Sequence, residues 1–284
     1  MADDDGGLTG NYHGTTVLTQ VLRGLWPDLR PGLESAGLMR VRALRPNALD
    51  DLESAFREEE RDGRKIAAFF HEIVLMNYGA RVLSPEFLQR AYALCREHDV
   101  VTVVDEIQSC AWYAGGFLFR HCGIEPDMVA LGKGFPGGAY PASRLLFTSR
   151  YDVLPQFGAL VTNGQEELAS LACLVTLSWL QANGPAVTAV GHLLEAGLGR
   201  LPERFPGLLA GSAGRGHLLG LRFRDLSAGR RFAGLMNQAG YDISVQSYKT
   251  SCPPVALCKL PIVADQYLVE AFVSACRDAL AQVP

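Results

Sequence analysis

An acid and an amine at the ends of two short apolar runs are the residues with the clearest chemical potential. The run Val100 to Val104 is rich in β-branched residues and reads as a buried parallel strand that delivers Asp105, Glu106 and Gln108 to its carboxyl end. A second run, Met128 to Leu131, ends in Gly132, Lys133 and Gly134. Neighbouring strands of this kind put Asp105 and Lys133 on one rim of a sheet, where α/β proteins keep their ligands. Lys133 is one of only four lysines, with Lys65, Lys249 and Lys259. On a glycine-flanked turn beside buried strands its charged form is expected to be disfavoured by desolvation, which frees the lone pair for Schiff-base chemistry. The plainer alternatives are a surface lysine after a strand and an aspartate that forms a turn.

The elements that must position this pair follow from patterning. Lys65 to Glu72 turns apolar and reads as a strand, and Ser84-Pro85 opens a helix to His98 with serine as cap and proline at the first helical position. With the strand at Val100 this makes a βαβ unit and a parallel sheet. Upstream, Asn47 is expected to cap an amphipathic helix through Phe56, with the charge run Arg57 to Arg64 as its solvated end. Downstream, Ser143 to Thr148 reads as a strand and Thr162 is expected to begin a helix running to about Trp179. From Pro185 the pattern becomes helix (186–201), strand (216–223), helix (228–239), two strands (241–246 and 255–259) and a last helix (265–282). The expected organisation is a large domain over residues 1–180 and a small α+β domain over 181–284.

Composition narrows the functional classes. With 284 residues, 48% of them hydrophobic, and a formal net charge of −4, the chain is globular and gives no reason to expect nucleic acid. No apolar run reaches the roughly 18 residues that span a bilayer, and the opening MADDDGGLTG is unlike a signal peptide, so membrane association is not expected and a cytoplasmic protein is. The seven cysteines are odd in number, scattered through apolar segments and lack zinc-site spacing; they read as buried free thiols, and no metal site is expected.

Three segments, Asp105-Glu106-Ile107-Gln108, Gly123-Ile124-Glu125-Pro126-Asp127 and Leu131-Gly132-Lys133-Gly134, resemble the core signature of the class III, ornithine-type aminotransferases. These are pyridoxal-phosphate enzymes of fold type I: a mostly parallel central sheet flanked by helices, plus a small C-terminal domain. The resemblance covers most of the chain. It implies that Lys133 carries the cofactor as a Schiff base and moves the substrate proton, while Asp105 pairs with the pyridinium nitrogen. A carboxylate there keeps the ring protonated, so that the ring accepts electrons from a carbanion.

Further cofactor-binding residues come from the same resemblance. Tyr12-His13-Gly14 is similar to the segment whose aromatic residue covers one face of the ring. Glu72 matches the glutamate of the family's Glu-Pro-x-x-Gly segment, with Ile73 in place of proline, and Gln108 reaches the phenolic oxygen. Thr162 opens a segment similar to Thr-x-Gly-x-x-x-Leu-Ala, whose threonine bonds the phosphate of the neighbouring subunit, implying a homodimer with shared sites. The implied substrates are an amino donor and a keto acid or aldehyde acceptor.

Two departures from the family pattern matter. The phosphate-cradling loop normally lies well upstream of the Tyr-His-Gly segment, whereas only Met1 to Asn11 precede Tyr12, so the chain reads as N-terminally truncated. Where many members hold the substrate carboxylate with an arginine, the stretch Val255 to Pro261 offers Lys259 alone. The alternative reading is therefore a non-catalytic relative acting as a dimerisation or binding module. Aminomutase, racemase and decarboxylase chemistry would need the same lysine and aspartate.

Overall fold

Two four-stranded sheets organise the chain, each with its own apolar core. The computed structural model describes residues 12–24, 26, 28–138, 140–161, 164, 166–247 and 252–284. In chain order the elements are helices α1 (Val17–Leu22), α2 (Leu29–Ser35) and α3 (Leu49–Arg61); strands β1 (Ala68–His71), β2 (Val74–Leu75) and β3 (Arg81–Val82); helix α4 (Pro85–Glu97); and strands β4 (Val101–Asp105), β5 (Met128–Leu131) and β6 (Arg144–Phe147). Then come helices α5 (Glu167–Ala182), α6 (Gly184–Gly199) and α7 (Leu201–Arg204), strands β7 (Leu209–Arg215) and β8 (Leu218–Phe223), helix α8 (Leu226–Gln238), strands β9 (Val245–Gln246) and β10 (Val255–Cys258), and helix α9 (Gln266–Ala281).

The first sheet has the order β1-β4-β5-β6. β1 runs parallel to β4 and β4 parallel to β5, while β6 returns antiparallel to β5. This is the mixed α/β, parallel-rich architecture expected, and it brings the carboxyl ends of β4 and β5 side by side. Helix α4 crosses between β1 and β4, started by the Ser84 hydroxyl, which accepts from the Phe87 amide at 3.1 Å. Its face of Phe87, Leu88, Ala91, Tyr92 and Cys95 is buried in one core with Val100 and Val104. Asp127 pins the entry to β5, its carboxylate accepting from the Thr102 amide (2.8 Å) and hydroxyl (2.9 Å) on β4.

The second sheet, β7-β8-β10-β9, is antiparallel throughout. Helices α6, α8 and α9 bury Leu194, Leu198, Phe232, Phe272 and Cys276 against Leu221, Phe223 and Ala256. Tyr113 joins the two sheets by donating its hydroxyl to the Arg215 carbonyl at 2.9 Å.

Several expected boundaries change. Ala48, not Asn47, precedes helix α3; Asn47 sits in the left-handed region (φ 63°) and bridges away, donating to the Val82 carbonyl at 3.0 Å and accepting from the Ser84 amide at 2.8 Å. Asparagine tolerates that backbone and its amide mimics a turn, which wins here over capping. Helix α5 begins at Glu167 rather than Thr162, because the Glu166 carboxylate accepts from the amides of Leu168 and Ala169. The strand expected at 216–223 is the second arm of a hairpin whose first arm, β7, reads LAGSAGR and carries too little apolar alternation to announce itself. The strand expected at 241–246 shortens to β9.

Candidate active site

The site is built where β4 ends. Asp105 is buried, and its Oδ2 stands 2.8 Å from the His13 Nδ1, while its Oδ1 accepts from the Ile107 amide at 3.0 Å. Both side chains of the pair are about nine-tenths buried (10% exposed each). The imidazole N–H donates to the carboxylate and fixes its orientation. Each carboxylate oxygen retains a second lone pair for a further donor.

Glu72, just past the end of β1, is buried, and Gln108 donates its side-chain amide to the Glu72 Oε1 at 3.1 Å. Two further residues expected at the cofactor thereby meet each other. Tyr12 lies beside His13, with the Arg23 guanidinium 4.9 Å from its ring centre. Thr162 falls outside the described residues.

Lys133 lies two residues past the end of β5, with φ 47°, in a turn closed by the Phe135 amide donating to the Gly132 carbonyl at 3.0 Å. Its side chain is exposed, so the burial expected around it is not provided by the described residues. The reason is local: the turn beyond β5 lies at the surface, and the strands below it bury Leu131 but not the residue after Gly132. Lys259, beyond β10, joins the same region from the second sheet. It is exposed over much of its surface, yet crowding by protein around its ammonium lowers its pKa; the charge of Lys133 lowers it further and that of Glu72 opposes this.

Three groups support the site from beneath. Glu106 is fully buried (0% exposed); its Oε2 accepts from the Leu118 amide (2.9 Å) and the Ser109 hydroxyl (3.0 Å), and its Oε1 from the Phe119 amide (2.6 Å). Burial raises its pKa while these bonds hold it down, and the chain from 107 to 119 is clamped over the sheet. His71 is buried at the end of β1, with Nδ1 3.1 Å from the Glu72 carbonyl and Nε2 3.1 Å from the Tyr92 hydroxyl. Burial pushes its pKa down to about 4. The Cys110 thiol donates to the Gly132 carbonyl at 3.1 Å and is pushed up to about 12 by burial, so it is a packing group rather than a nucleophile. All seven cysteines are free, and six of them are buried.

The sequence reading placed Glu106 at the strand end without giving it a role, and did not single out His71. Glu106 offers one usable signal, an acid directly after a buried strand; His71 offers only its place in an apolar run.

Pyridoxal phosphate fits the donor set. A buried carboxylate with lone pairs to spare suits a pyridinium N–H, and an amine stands just past the end of the adjacent strand.

Comparison with known proteins agrees. The family model for class-III aminotransferases matches residues 8–242. An acetylornithine aminotransferase from Xanthomonas axonopodis is 34% identical over 227 residues, covering 78% of this chain and 53% of the relative. The chain thus spans about half the length of that curated relative. Among solved structures, ornithine aminotransferase from Toxoplasma gondii is similar with a TM-score of 0.74 at 22% identity, over 86% of this chain and 56% of that one. An Arthrobacter phospholyase gives a TM-score of 0.79 at 19% identity, over 98% and 70% respectively. The chain belongs to the class-III aminotransferase family, whose cofactor is pyridoxal phosphate. Among the described residues no helix is long and apolar enough to cross a membrane.

Proposed function

We propose that this chain takes part in pyridoxal-phosphate-dependent transfer of an amino group from an amino donor to a keto acid or aldehyde. The carrying observation is that Asp105 and Lys133 close two adjacent parallel strands, with His13 locked onto Asp105 at 2.8 Å. When bound, pyridoxal phosphate supplies an aldehyde for an amine and a ring that accepts electrons. Lys133 is the amine that would hold it, and the same amine would move the proton at the donor's α-carbon. Asp105 holds the ring nitrogen in its protonated form, and His13 and the Ile107 amide keep its carboxylate from turning away. Gln108, braced by Glu72, orients the phenolic edge, and Tyr12 covers one ring face.

The same proposal includes a homodimer in which Thr162 of each copy reaches the other's cofactor phosphate. What supports a second copy is the exposed apolar stripe of α5, Leu168, Leu171, Leu174 and Val175. A division into large and small domains near residue 180, and a cytoplasmic setting consistent with seven free thiols, belong to the proposal as well.

Titration with pyridoxal phosphate tests it. A lysine-dependent absorption band present in the wild type and absent in Lys133→Ala is expected; identical spectra defeat the proposal. The exposure of Lys133 favours one other reading, a non-catalytic binding module, for which the cofactor would bind weakly and be lost on dialysis.

A further inference from the structure

Lys133 is exposed, so its direction is set by its backbone rather than by packing around its side chain. That backbone lies in the left-handed region (φ 47°), which a residue with a Cβ occupies where its surroundings impose it. The surroundings are the segment that follows β4. The Cys110 thiol donates to the Gly132 carbonyl at 3.1 Å, the same oxygen that accepts from the Phe135 amide and closes the turn. The glycines on either side of Lys133 both lie against this segment. A Cβ on Gly132 would stand 2.9 Å from the Ile107 Cδ1, and one on Gly134 would stand 3.6 Å from the Cys110 carbonyl oxygen. Phe117 and Phe135 share one apolar cluster with Cys110, their ring centres 6.2 Å apart.

Between β4 and residue 118 the segment has neither helix nor strand, so no regular ladder holds it. Glu106 does so from the two ends. Its backbone amide donates to the Ala130 carbonyl on β5 at 2.9 Å, while its fully buried carboxylate accepts from the Ser109 hydroxyl near one end and the Leu118 and Phe119 amides at the other. Three converging donors suit a carboxylate, which offers acceptor sites on both oxygens. We propose that Glu106 is a positioning residue for Lys133: by closing residues 107–119 over the end of β5 it holds the lysine's backbone in the conformation that directs the amine. Glu106 acts through Ile107, Cys110 and Phe117 and touches no reacting atom. That the directed amine serves a cofactor rests on the catalytic proposal; the clamp does not.

Amide hydrogen exchange on the full chain without cofactor tests the clamp. Glu106→Gln keeps the size but turns an NH2 toward N–H donors, and is expected to quicken exchange of the Phe135 amide at least about tenfold, with the amides of β7 and β8 unchanged. Cys110→Ala leaves Glu106 intact and should quicken Phe135 at least about threefold, whereas Cys110→Ser, whose hydroxyl can donate to the Gly132 carbonyl, should restore the wild-type rate. This pair decides if Glu106→Gln does not fold. Equal quickening through both sheets in Glu106→Gln would show general destabilisation and overturn the inference, as would a wild-type rate at Phe135 in Cys110→Ala. A second readout follows the amine itself. Pyridoxal phosphate fixed by borohydride reduction and located by peptide mapping should sit on Lys133 in the wild type and spread to Lys65, Lys249 and Lys259 in Glu106→Gln. Label kept on Lys133 to the wild-type extent in that variant overturns the positioning role. Label spread evenly over all four lysines in the wild type defeats the catalytic proposal instead, and leaves the clamp to the exchange rates.

Discussion

His13 and Asp105 lie 92 positions apart in the chain and meet through a 2.8 Å bond between Nδ1 and Oδ2. The segment before α1 is thereby tied to the end of β4, and the carboxylate is held from two sides, by an imidazole N–H and by a backbone amide. Removing the imidazole leaves Asp105 in place through the Ile107 amide but free to rotate about it. His13→Ala is therefore expected to weaken pyridoxal-phosphate affinity about tenfold, near 1.4 kcal/mol, with little change in melting temperature. Equilibrium titration of both proteins checks this, and equal affinities would remove His13 from the site.

Thr102 and Asp127 form a closed exchange between β4 and the entry to β5. The Asp127 carboxylate accepts from the Thr102 amide and hydroxyl, and the Asp127 amide donates to the Thr102 hydroxyl at 3.0 Å. Since this exchange holds β4 against β5, it also fixes the spacing of Asp105 and Lys133. Thr102→Val keeps the shape and orphans the Asp127 amide, so a loss of about 1–3 kcal/mol is expected on chemical denaturation. A wild-type midpoint would show that the exchange contributes nothing net.

The first sheet was largely legible because its strands are short apolar runs with an acid or a glycine turn at their ends, and because Ser84-Pro85 marks α4 without ambiguity. Asp105 and Lys133 could be paired from the same runs. The partners of Asp105 were not legible from patterning: nothing local to His13 points to a carboxylate 92 residues away, and it was the family resemblance that put His13 at the cofactor. Of the two readings of Lys133, a desolvated amine and a surface lysine after a strand, its exposure matches the second. Its neighbours in sequence are buried, whereas cover over a turn is set by what packs on it from elsewhere. Helix starts at Asn47 and Thr162 went wrong where a residue suited to capping sits near a better placed competitor, Ala48 backbone geometry in one case and the Glu166 carboxylate in the other.

Gly214 is a position where the backbone leaves no choice. In β7 it adopts φ +108°, and a Cβ there would stand 2.0 Å from the Leu218 carbonyl oxygen, a backbone atom of the partner strand. No side-chain adjustment relieves that contact, so the hairpin must open or shift. Gly214→Ala is expected to destabilise the protein by about 2–4 kcal/mol, read as a lower urea midpoint. Gly207→Ala, at a site with open space around it, serves as the control and should fall within about 0.5 kcal/mol of wild type.

His71 makes stability depend on acid. The ring is buried between the Glu72 carbonyl, to which Nδ1–H donates, and the Tyr92 hydroxyl, which donates to Nε2. That arrangement needs the neutral ring, and burial, assisted by the neighbouring His13 charge and opposed by the Glu72 carbonyl bond and by Asp105, pushes its pKa to about 4 from an ordinary 6.5. Because the folded value lies below the unfolded one, the unfolded chain binds the extra proton between these limits. Its contribution is complete above pH 6.5 and is lost as the pH falls from 6.5 toward 4, by about 3 kcal/mol. His71→Phe keeps a ring but abolishes the titration: the variant should start lower at pH 7, having removed the imidazole from the Tyr92 hydroxyl and the Glu72 carbonyl, yet show a shallower decline than wild type between pH 6.5 and 4. Parallel curves of melting temperature against pH for the two proteins would assign the acid sensitivity to other groups.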